Sequence, residues 1–281
     1  VVGLALSGGP GWLIIPLALL AGFAGGAFWG AIPGALKAYF GVNEILSTVM
    51  MNAIAVQIMN FLLRGPLIDP AQAELASKIP QTAALDVAFR LPRLGVTRLH
   101  LGAAIAIALA ILVYILLWRT TLGYRIRAVG QNPDASRYGG IRVRRQIVIA
   151  LLLSGAFAGL AGVIQVYGLN YRMITDGSAT GFTGSAGFNG IVAALFGALH
   201  PLWTIPASFF FGGMLTGGIQ LQQELQVPAA LIVALNGVVV IFVVGSLKLR
   251  SRVNRWVERN EQARARARTA GSERKVAADV E

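Results

Sequence analysis

The chain has 281 residues, of which 56% are hydrophobic and only 13% are charged, and its mean hydropathy is +0.66. About a quarter of the residues in a soluble domain are charged, so this composition excludes an ordinary soluble domain and indicates helices that face lipid. The net charge of +12 would fit a nucleic-acid-binding protein, but the basic residues cluster beside apolar segments, as they do in the cytoplasmic loops of membrane proteins. The absence of cysteine from the sequence excludes disulfides and thiolate metal sites. The chain begins at Val1 without a signal-peptide pattern, and we expect its N-terminus to be missing.

Seven apolar segments predict an all-α, polytopic transmembrane helix bundle over residues 1–247. They are Trp12–Ile32, Val42–Leu63, Leu99–Trp118, Ile147–Tyr167, Phe188–Leu199, Trp203–Leu221 and Val227–Leu247. Most reach the ~20 residues that a spanning helix needs, whereas Phe188–Leu199 is short enough to be a re-entrant or half helix. Residues 64–98 are predicted to form a small ordered external segment, and residues 248–281 are predicted to form a basic cytoplasmic tail.

The distribution of Lys and Arg predicts the orientation of the chain in the membrane. The loop 119–146 holds seven arginines, and ten Lys or Arg residues follow Leu247. Both regions are therefore predicted to be cytoplasmic, which places Lys37 inside and residues 64–98 outside. The two assignments agree with each other only if Phe188–Leu199 and Trp203–Leu221 both cross the membrane.

Glycines recur every four residues in several of the apolar segments. They are Gly22, Gly26, Gly30 and Gly34 in the first segment, Gly155 and Gly159 in the fourth, and Gly213 and Gly217 in the sixth. Small residues at this spacing let two helix backbones approach closely within a membrane. The pattern predicts tight helix packing and carries no chemistry of its own.

The arginine-rich loop contains the signals of a very short helix. Asn132 can cap it, Pro133 suits its first position, and Asp134 favours the positive end of a helix. The glycine pair 139–140 supplies a left-handed stop after Tyr138. A helix of about 10 Å is unstable alone in water. With six arginines between residues 123 and 145, it is predicted to dock on either anionic lipid or another protein.

The segment RAVGQNPDASRYGGI, residues 127–141, resembles the coupling-helix segment in permease subunits of ATP-binding-cassette (ABC) importers of the branched-chain amino acid, sugar and nucleoside group. The related importer pattern, Glu-Ala-Ala, three residues, then Gly, is matched by Asp134-Ala135-Ser136 and Gly140. Its downstream Ile and Leu-Pro are not matched, which favours the nucleoside and simple-sugar branch. GVNEILSTVMMNAIA, SGAFAGLAGVIQVYG and GFNGIVAALFGALHPLW also resemble that branch, so the likeness runs from about Gly22 to Leu247.

The resemblance implies a multi-pass permease subunit in the plasma or inner membrane, importing a nucleoside or simple sugar that an extracytoplasmic binding protein delivers. It implies an ATPase partner and a second permease subunit, identical or different. The residues that would couple to the ATPase are Asn132, Pro133, Asp134, Ala135, Ser136, Arg137 and Gly140. The chain has no Gly-x4-Gly-Lys-Ser/Thr phosphate loop, so it is expected to bind no cofactor and not to be an enzyme, with ATP bound by the partner. A stand-alone secondary transporter or channel for a small polar solute is the alternative.

Polar residues inside apolar segments are energetically costly in a membrane, so those that are present are candidates for lining the path of a solute. The candidates are Glu44, Thr48, Asn52, Asn60, Gln165 and Asn189. Glu44, Thr48 and Asn52 share one helix face, and their neutral neighbours suit an uncharged polar solute. Interhelical hydrogen bonding is the alternative for Asn52, and an interfacial position is the alternative for Glu44. The two histidines lie far from any metal-ligand spacing, so no metal site is predicted.

Overall fold

The computed structural model describes residues 11–73, 79–92, 100–177 and 182–225, together with residues 237, 238, 242 and 245. Within these residues the secondary structure is helical apart from turns, loops and isolated bridges such as that between Gln81 and Ile174. Among these described residues, five helices are long and apolar enough to cross a membrane. This confirms the predicted all-α polytopic bundle. Apart from those single positions, the predicted segment Val227–Leu247 and the tail 248–281 lie outside the described residues.

The chain divides into two compact units, residues 1–187 and 188–281. The helices are α1 (Gly11–Phe40), α2 (Glu44–Arg64), α3 (Pro70–Ala73), α4 (Leu101–Arg119), α5 (Thr121–Gln131), α6 (Pro133–Tyr138), α7 (Val143–Gln165), α8 (Ala186–Phe196) and α9 (Pro201–Leu225). A 3₁₀ turn (Val87–Phe89) follows α3, and a π-helical turn (Val166–Asn170) extends α7. The candidate spans are α1, α2, α4, α7 and α9.

Helices α1 and α7 form a closely packed antiparallel pair. A Cβ atom on Gly26 would lie 2.9 Å from the Cα of Gly159, and one on Gly30 would lie 2.5 Å from the carbonyl oxygen of Leu151. The residue numbers of the contacting positions on α7 decrease as those on α1 increase. The two helices therefore run in opposite directions. The predicted packing role of these glycines is confirmed. At Gly213 and Gly217 no described atom lies within 4 Å of the Cβ position, so the packing predicted there is not seen in the described residues.

Helix α1 continues past its predicted end at Ile32, through Pro33, to Phe40. The proline does not end the helix here, because α1 lies against α7 on both sides of it: Gly30 contacts Leu151, and a Cβ on Gly34 would lie 3.2 Å from the Cα of Val148. A short connection then leads to α2, whose first turn is capped by Asn43.

One end of the α1–α7 pair carries the loop that was predicted to be cytoplasmic. Tyr39, near the end of α1, lies under the guanidinium of Arg144 in the first turn of α7, with 5.9 Å between the guanidinium carbon and the ring centroid. Lys37 and Glu44 form an ion pair at the same end, across the α1–α2 connection. Helices α5 and α6 immediately precede α7 in the chain and lie at this end.

The opposite end of the pair is covered by residues 79–92, part of the segment predicted to lie outside. Their backbone follows the chain after α7: the N–H of Leu85 donates to the carbonyl of Tyr171 at 2.8 Å, and that of Leu91 donates to the carbonyl of Tyr167 at 2.9 Å. The cluster beneath consists of Ile14, Ala18, Leu85, Phe89, Leu91 and Tyr167. Residues 79–92 are thus an ordered cap, and their external position stays a prediction.

The second unit contains a helical hairpin. Helix α8 has 11 residues and is about 16 Å long, roughly half the thickness of a hydrocarbon core. A tight turn follows, with Ala198 and Leu199 in the left-handed region, and α9 packs back so that Ala207 and Phe211 contact Val192 and Ala193. The segment predicted at Phe188–Leu199 is therefore a half helix by length. The cytoplasmic C-terminus, which depended on its crossing, stays a prediction.

Candidate coupling site

Helix α6 begins and ends at the residues that the sequence predicts, Pro133 and Tyr138. At its start, the side-chain oxygen of Asn132 accepts hydrogen bonds from the backbone N–H groups of Asp134 and Ala135 at 3.1 and 3.0 Å. Pro133 occupies the first turn, where its missing N–H leaves no donor unsatisfied. The N-terminal cap is therefore complete.

The C-terminal end of α6 closes with a Schellman motif. The N–H of Ile141 donates to the carbonyl of Ser136, and the N–H of Gly140 donates to the carbonyl of Arg137, both at 3.0 Å. Gly140 has a φ of +76°, whereas Gly139 has a φ of −73° that any residue can adopt. Of the predicted glycine pair, Gly140 alone thus supplies the left-handed stop.

The faces of α6 differ in exposure. Ser136 is 7% exposed and lies on the side facing α5 and α7, whereas Tyr138 is 94% exposed. Asp134 and Arg137 are also exposed. The outward surface of α6 thus combines a carboxylate, a guanidinium and an aromatic ring, which is suited to contact with another protein.

Helix α5, which sequence analysis treated as loop, is the base on which α6 stands. Asn132 ends α5 through its N–H, which donates to the carbonyl of Ala128 at 3.1 Å, and caps α6 with its side chain. At the other end of α5, the hydroxyl of Thr120 accepts from the N–H of Gly123 at 3.1 Å and donates to the carbonyl of Leu116 at 2.6 Å. A single polar residue thus ties α5 to its neighbour at each end.

Close contacts fix the angle between α4 and α5. A Cβ atom on Gly123 would overlap the carbonyl oxygen of Leu116 and the Cα of Leu117, so a larger residue would push α5 off α4. The guanidinium carbon of Arg127 lies 4.8 Å from a ring centroid of Trp118, a cation–π contact between the same two helices. The base of α6 is therefore held against α4 through α5.

A groove of about 790 Å³ lies between α5, α6 and the first turn of α7. Its lining includes Arg125 from α5, Ser136 from α6, and Arg142, Arg145 and Gln146 at the start of α7. We call it the arginine groove. Sequence analysis noted these arginines as a cluster, but it could not show that they surround one space.

The solute-pathway candidates on α2 lie at different heights along the helix. Glu44 pairs with Lys37 at one end, and the hydroxyl of Thr48 donates to the carbonyl of Glu44 at 2.7 Å. Asn52 lies mid-helix with its side chain exposed. Near the far end, the side-chain oxygen of Asn60 accepts a hydrogen bond from the hydroxyl of Thr175 at 2.6 Å. Glu44 thus lies in the first turn of α2, paired with Lys37, and both of its weighed roles stay predictions.

The two remaining candidates lie outside α2. The side-chain nitrogen of Gln165, in the last turn of α7, donates to the carbonyl of Phe182 at 2.6 Å. This bond ties the end of α7 to residue Phe182 farther along the chain. Asn189 is a half-buried residue of α8 in the second unit. The described residues do not bring the six candidates into one site, and their role in transport stays a prediction.

The fold and the site define a class: a multi-pass helical membrane protein that presents a rigidly held, capped helix beyond its spanning helices. A family model described as the permease component of branched-chain amino acid transport systems matches residues 1–256, and the chain belongs to this family. The resemblance inferred from the sequence is thereby confirmed. The chain is a permease component rather than an enzyme.

Curated relatives refine this assignment. The chain is 36% identical over 249 residues to the guanosine ABC transporter permease protein NupP of Bacillus subtilis, covering 89% of this chain and 70% of that protein. It is 29% identical to the nucleoside permease protein NupB of Lactococcus lactis, covering 83% and 64%. It is 30% identical to the glucose permease protein TsgB13 of Haloferax volcanii, covering 84% and 63%. The chain thus spans 63% to 70% of the length of these relatives. No solved structure matches it.

Proposed function

We propose that this chain is the membrane-spanning permease subunit of an ABC importer for a nucleoside or a simple sugar. The proposal is supported by membership of the permease family and by relatives named for guanosine, nucleoside and glucose transport. Two of these three relatives are named for nucleosides, so nucleosides are the first solutes to test. Family membership disfavours a stand-alone secondary transporter, which would have no use for a docking helix.

The observation that carries the proposal is the construction of α6. A six-residue helix closed at both ends, with an exposed outer surface and a fixed base, is suited to receive a force from a partner. We assign that partner as an ATPase subunit, which would bind ATP in place of this chain. Asn132, Pro133, Asp134, Ala135, Ser136, Arg137 and Gly140 would form the contact or hold its shape.

The other partners follow from the same assignment. Helix α2 leaves many apolar side chains and Asn52 exposed along its length. A second permease subunit packed there would cover this face and leave Asn52 to line the path of the solute. The cap of residues 79–92 would face outward, where an extracytoplasmic binding protein delivers the solute. The end with α6 would face the cytoplasm, and so would the C-terminal tail if the chain crosses the membrane at both α8 and α9.

The test is uptake in cells that express the full-length permease with its ATPase, second permease and binding protein. Labelled guanosine and adenosine would be compared with labelled ribose and glucose, each with and without excess unlabelled solute. We expect saturable uptake of one solute class that requires both the binding protein and an ATPase with an intact phosphate loop. Uptake that persists when the phosphate-loop lysine of the ATPase is replaced would refute the importer and favour a stand-alone carrier.

A further inference from the structure

The arginine groove has an uncompensated positive charge. Arg125, Arg142 and Arg145 line it, and its lining contains no aspartate or glutamate. Among the described residues the ion pair is that of Lys37 with Glu44, at a different place. Guanidinium groups around one space repel each other and present forked donors that match the geometry of a phosphate. The groove is therefore suited to an anion, and to a phosphate in particular.

Two other arginines of the same loop contact aromatic rings. Arg127 stacks on Trp118, and Arg144 lies over Tyr39. The three groove arginines make no such contact with a described aromatic ring or carboxylate. Three of the seven arginines of the loop thus line one space without such a contact.

Gln146 adds an unsatisfied hydrogen-bond acceptor to the lining of the groove. Its side chain is 5% exposed, and its Oε1 atom is buried without a hydrogen-bond partner among the described residues. Buried polar atoms in proteins are almost always hydrogen-bonded, so a donor is expected to reach this oxygen. A ligand that carries both a phosphate and a free hydroxyl would satisfy the arginines and Gln146 together.

The position of the groove along the spanning helices indicates where such a ligand comes from. Arg119 ends the apolar helix α4, and Thr121, which lines the groove, follows almost at once. The uninterrupted apolar run of α7 begins at Ile147, directly after Gln146. The groove therefore lies where apolar helices give way to polar chain, which is the level of lipid headgroups. Basic pockets at this level bind the headgroups of anionic lipids.

We propose that the arginine groove binds the headgroup of an anionic phospholipid with a free hydroxyl, of which phosphatidylglycerol is the simplest example. The phosphate oxygens accept hydrogen bonds from Arg125, Arg142 and Arg145. A headgroup hydroxyl donates to Oε1 of Gln146. The lipid then bridges α5 and α7 beneath α6 and stiffens the base of that helix. This site is a property of the chain and is independent of the transported solute.

The test measures lipid binding to the purified full-length permease in detergent by native mass spectrometry. Phosphatidylglycerol is compared with phosphatidylcholine, which has a phosphate but no net charge, and with phosphatidylmethanol, which is anionic but has no headgroup hydroxyl. We expect phosphatidylglycerol to bind at least about tenfold more tightly than phosphatidylcholine, as two or three guanidinium contacts would give. We expect it to bind more tightly than phosphatidylmethanol as well.

Matched variants locate the site. Replacing both Arg142 and Arg145 with glutamine should weaken phosphatidylglycerol binding about tenfold or more. Replacing both Arg119 and Arg144, which do not line the groove, removes the same charge and should change binding less than about threefold. Gln146→Leu should abolish the preference for phosphatidylglycerol over phosphatidylmethanol. Size-exclusion profiles check folding, and the comparison of lipids on the unaltered protein needs no variant.

Four results would overturn the proposal. Equal weakening by the two double variants would mean that only surface charge attracts the lipid. Equal binding of phosphatidylcholine would mean that the groove does not select an anion. Displacement of the lipid by inorganic phosphate at equal concentration would make the groove a site for a soluble anion. Unchanged lipid binding with loss of ATPase co-purification in the groove variant would assign the groove to the partner protein.

Discussion

Replacing Gly140 with alanine tests the stop of α6 apart from the other properties of this helix. No described atom lies within 4 Å of the Cβ position, so the added methyl group meets no neighbour. The φ of +76° is the whole obstacle. An L-residue in the left-handed region costs about 1–2 kcal/mol, which corresponds to about a 5- to 30-fold shift of a local equilibrium.

Gly139→Ala is the matched control. Its φ of −73° suits alanine, and its Cβ would lie in ordinary contact, 3.5 Å from the carbonyl oxygen of Ser136. Both substitutions remove the same flexibility from the unfolded chain, so that contribution cancels between them. The difference between the two variants therefore measures the strain at Gly140. Gly140→Asn should fall between them, because asparagine tolerates the left-handed region better than alanine.

The assay is hydrogen exchange of the peptide that covers residues 137–145, in the full-length permease in lipid nanodiscs. The amides of Gly140 and Ile141 are bonded to the carbonyls of Arg137 and Ser136, so opening of the helix end exposes them. We expect these amides to exchange about 5–30 times faster in Gly140→Ala than in Gly139→Ala. Weaker co-purification of the ATPase should accompany the faster exchange. Equal exchange in the two variants would refute the view that a left-handed residue closes α6.

Three further predictions concern other parts of the chain. Asn132→Ala should destabilise α6 by about 1 kcal/mol, seen as faster exchange in its first turn, whereas Asn132→Asp should restore protection because aspartate also caps. Gly26→Ala forces a Cβ against the α7 backbone and should lower the free energy of unfolding by about 1–3 kcal/mol, and the Tm by several degrees. Gly25→Ala, whose Cβ position is open, should leave the Tm unchanged. Asn52→Leu should reduce uptake with an unchanged Tm if Asn52 lines the solute path; a lower Tm with normal uptake would instead make it an interhelical contact.

The short helix was predictable to the residue because its determinants are local. A side-chain cap, a proline in the first turn and a glycine stop act within a few residues of each other, and the sequence contains all three. The membrane-spanning helices were predictable for a similar reason, since each depends on the apolarity of its own stretch. Their ends were less accurate: the first segment was predicted to end at Ile32, whereas α1 continues along α7 to Phe40.

The features that depend on contacts between distant residues were not predictable in this way. Helix α5 has no long apolar run, and its position depends on the contacts of Gly123 and Arg127 with α4. The hydrogen bonds of Asn60 with Thr175 and of Gln165 with Phe182 join residues that no sequence spacing connects. These contacts show that two of the polar pathway candidates also hold the helix ends in place.

The sequence by itself determined that this protein is a helical membrane protein with a short helix capped at both ends, because apolarity and helix caps act over short stretches of chain, and its resemblance to a permease family depends on motifs within single segments. Only the tertiary structure decided which glycine stripes meet, that the loop before α7 is mostly helical, and that three arginines surround one groove. Those features arise when α1, α4, α5 and α7 pack together. The free energy of that packing depends on contacts between residues far apart in the chain.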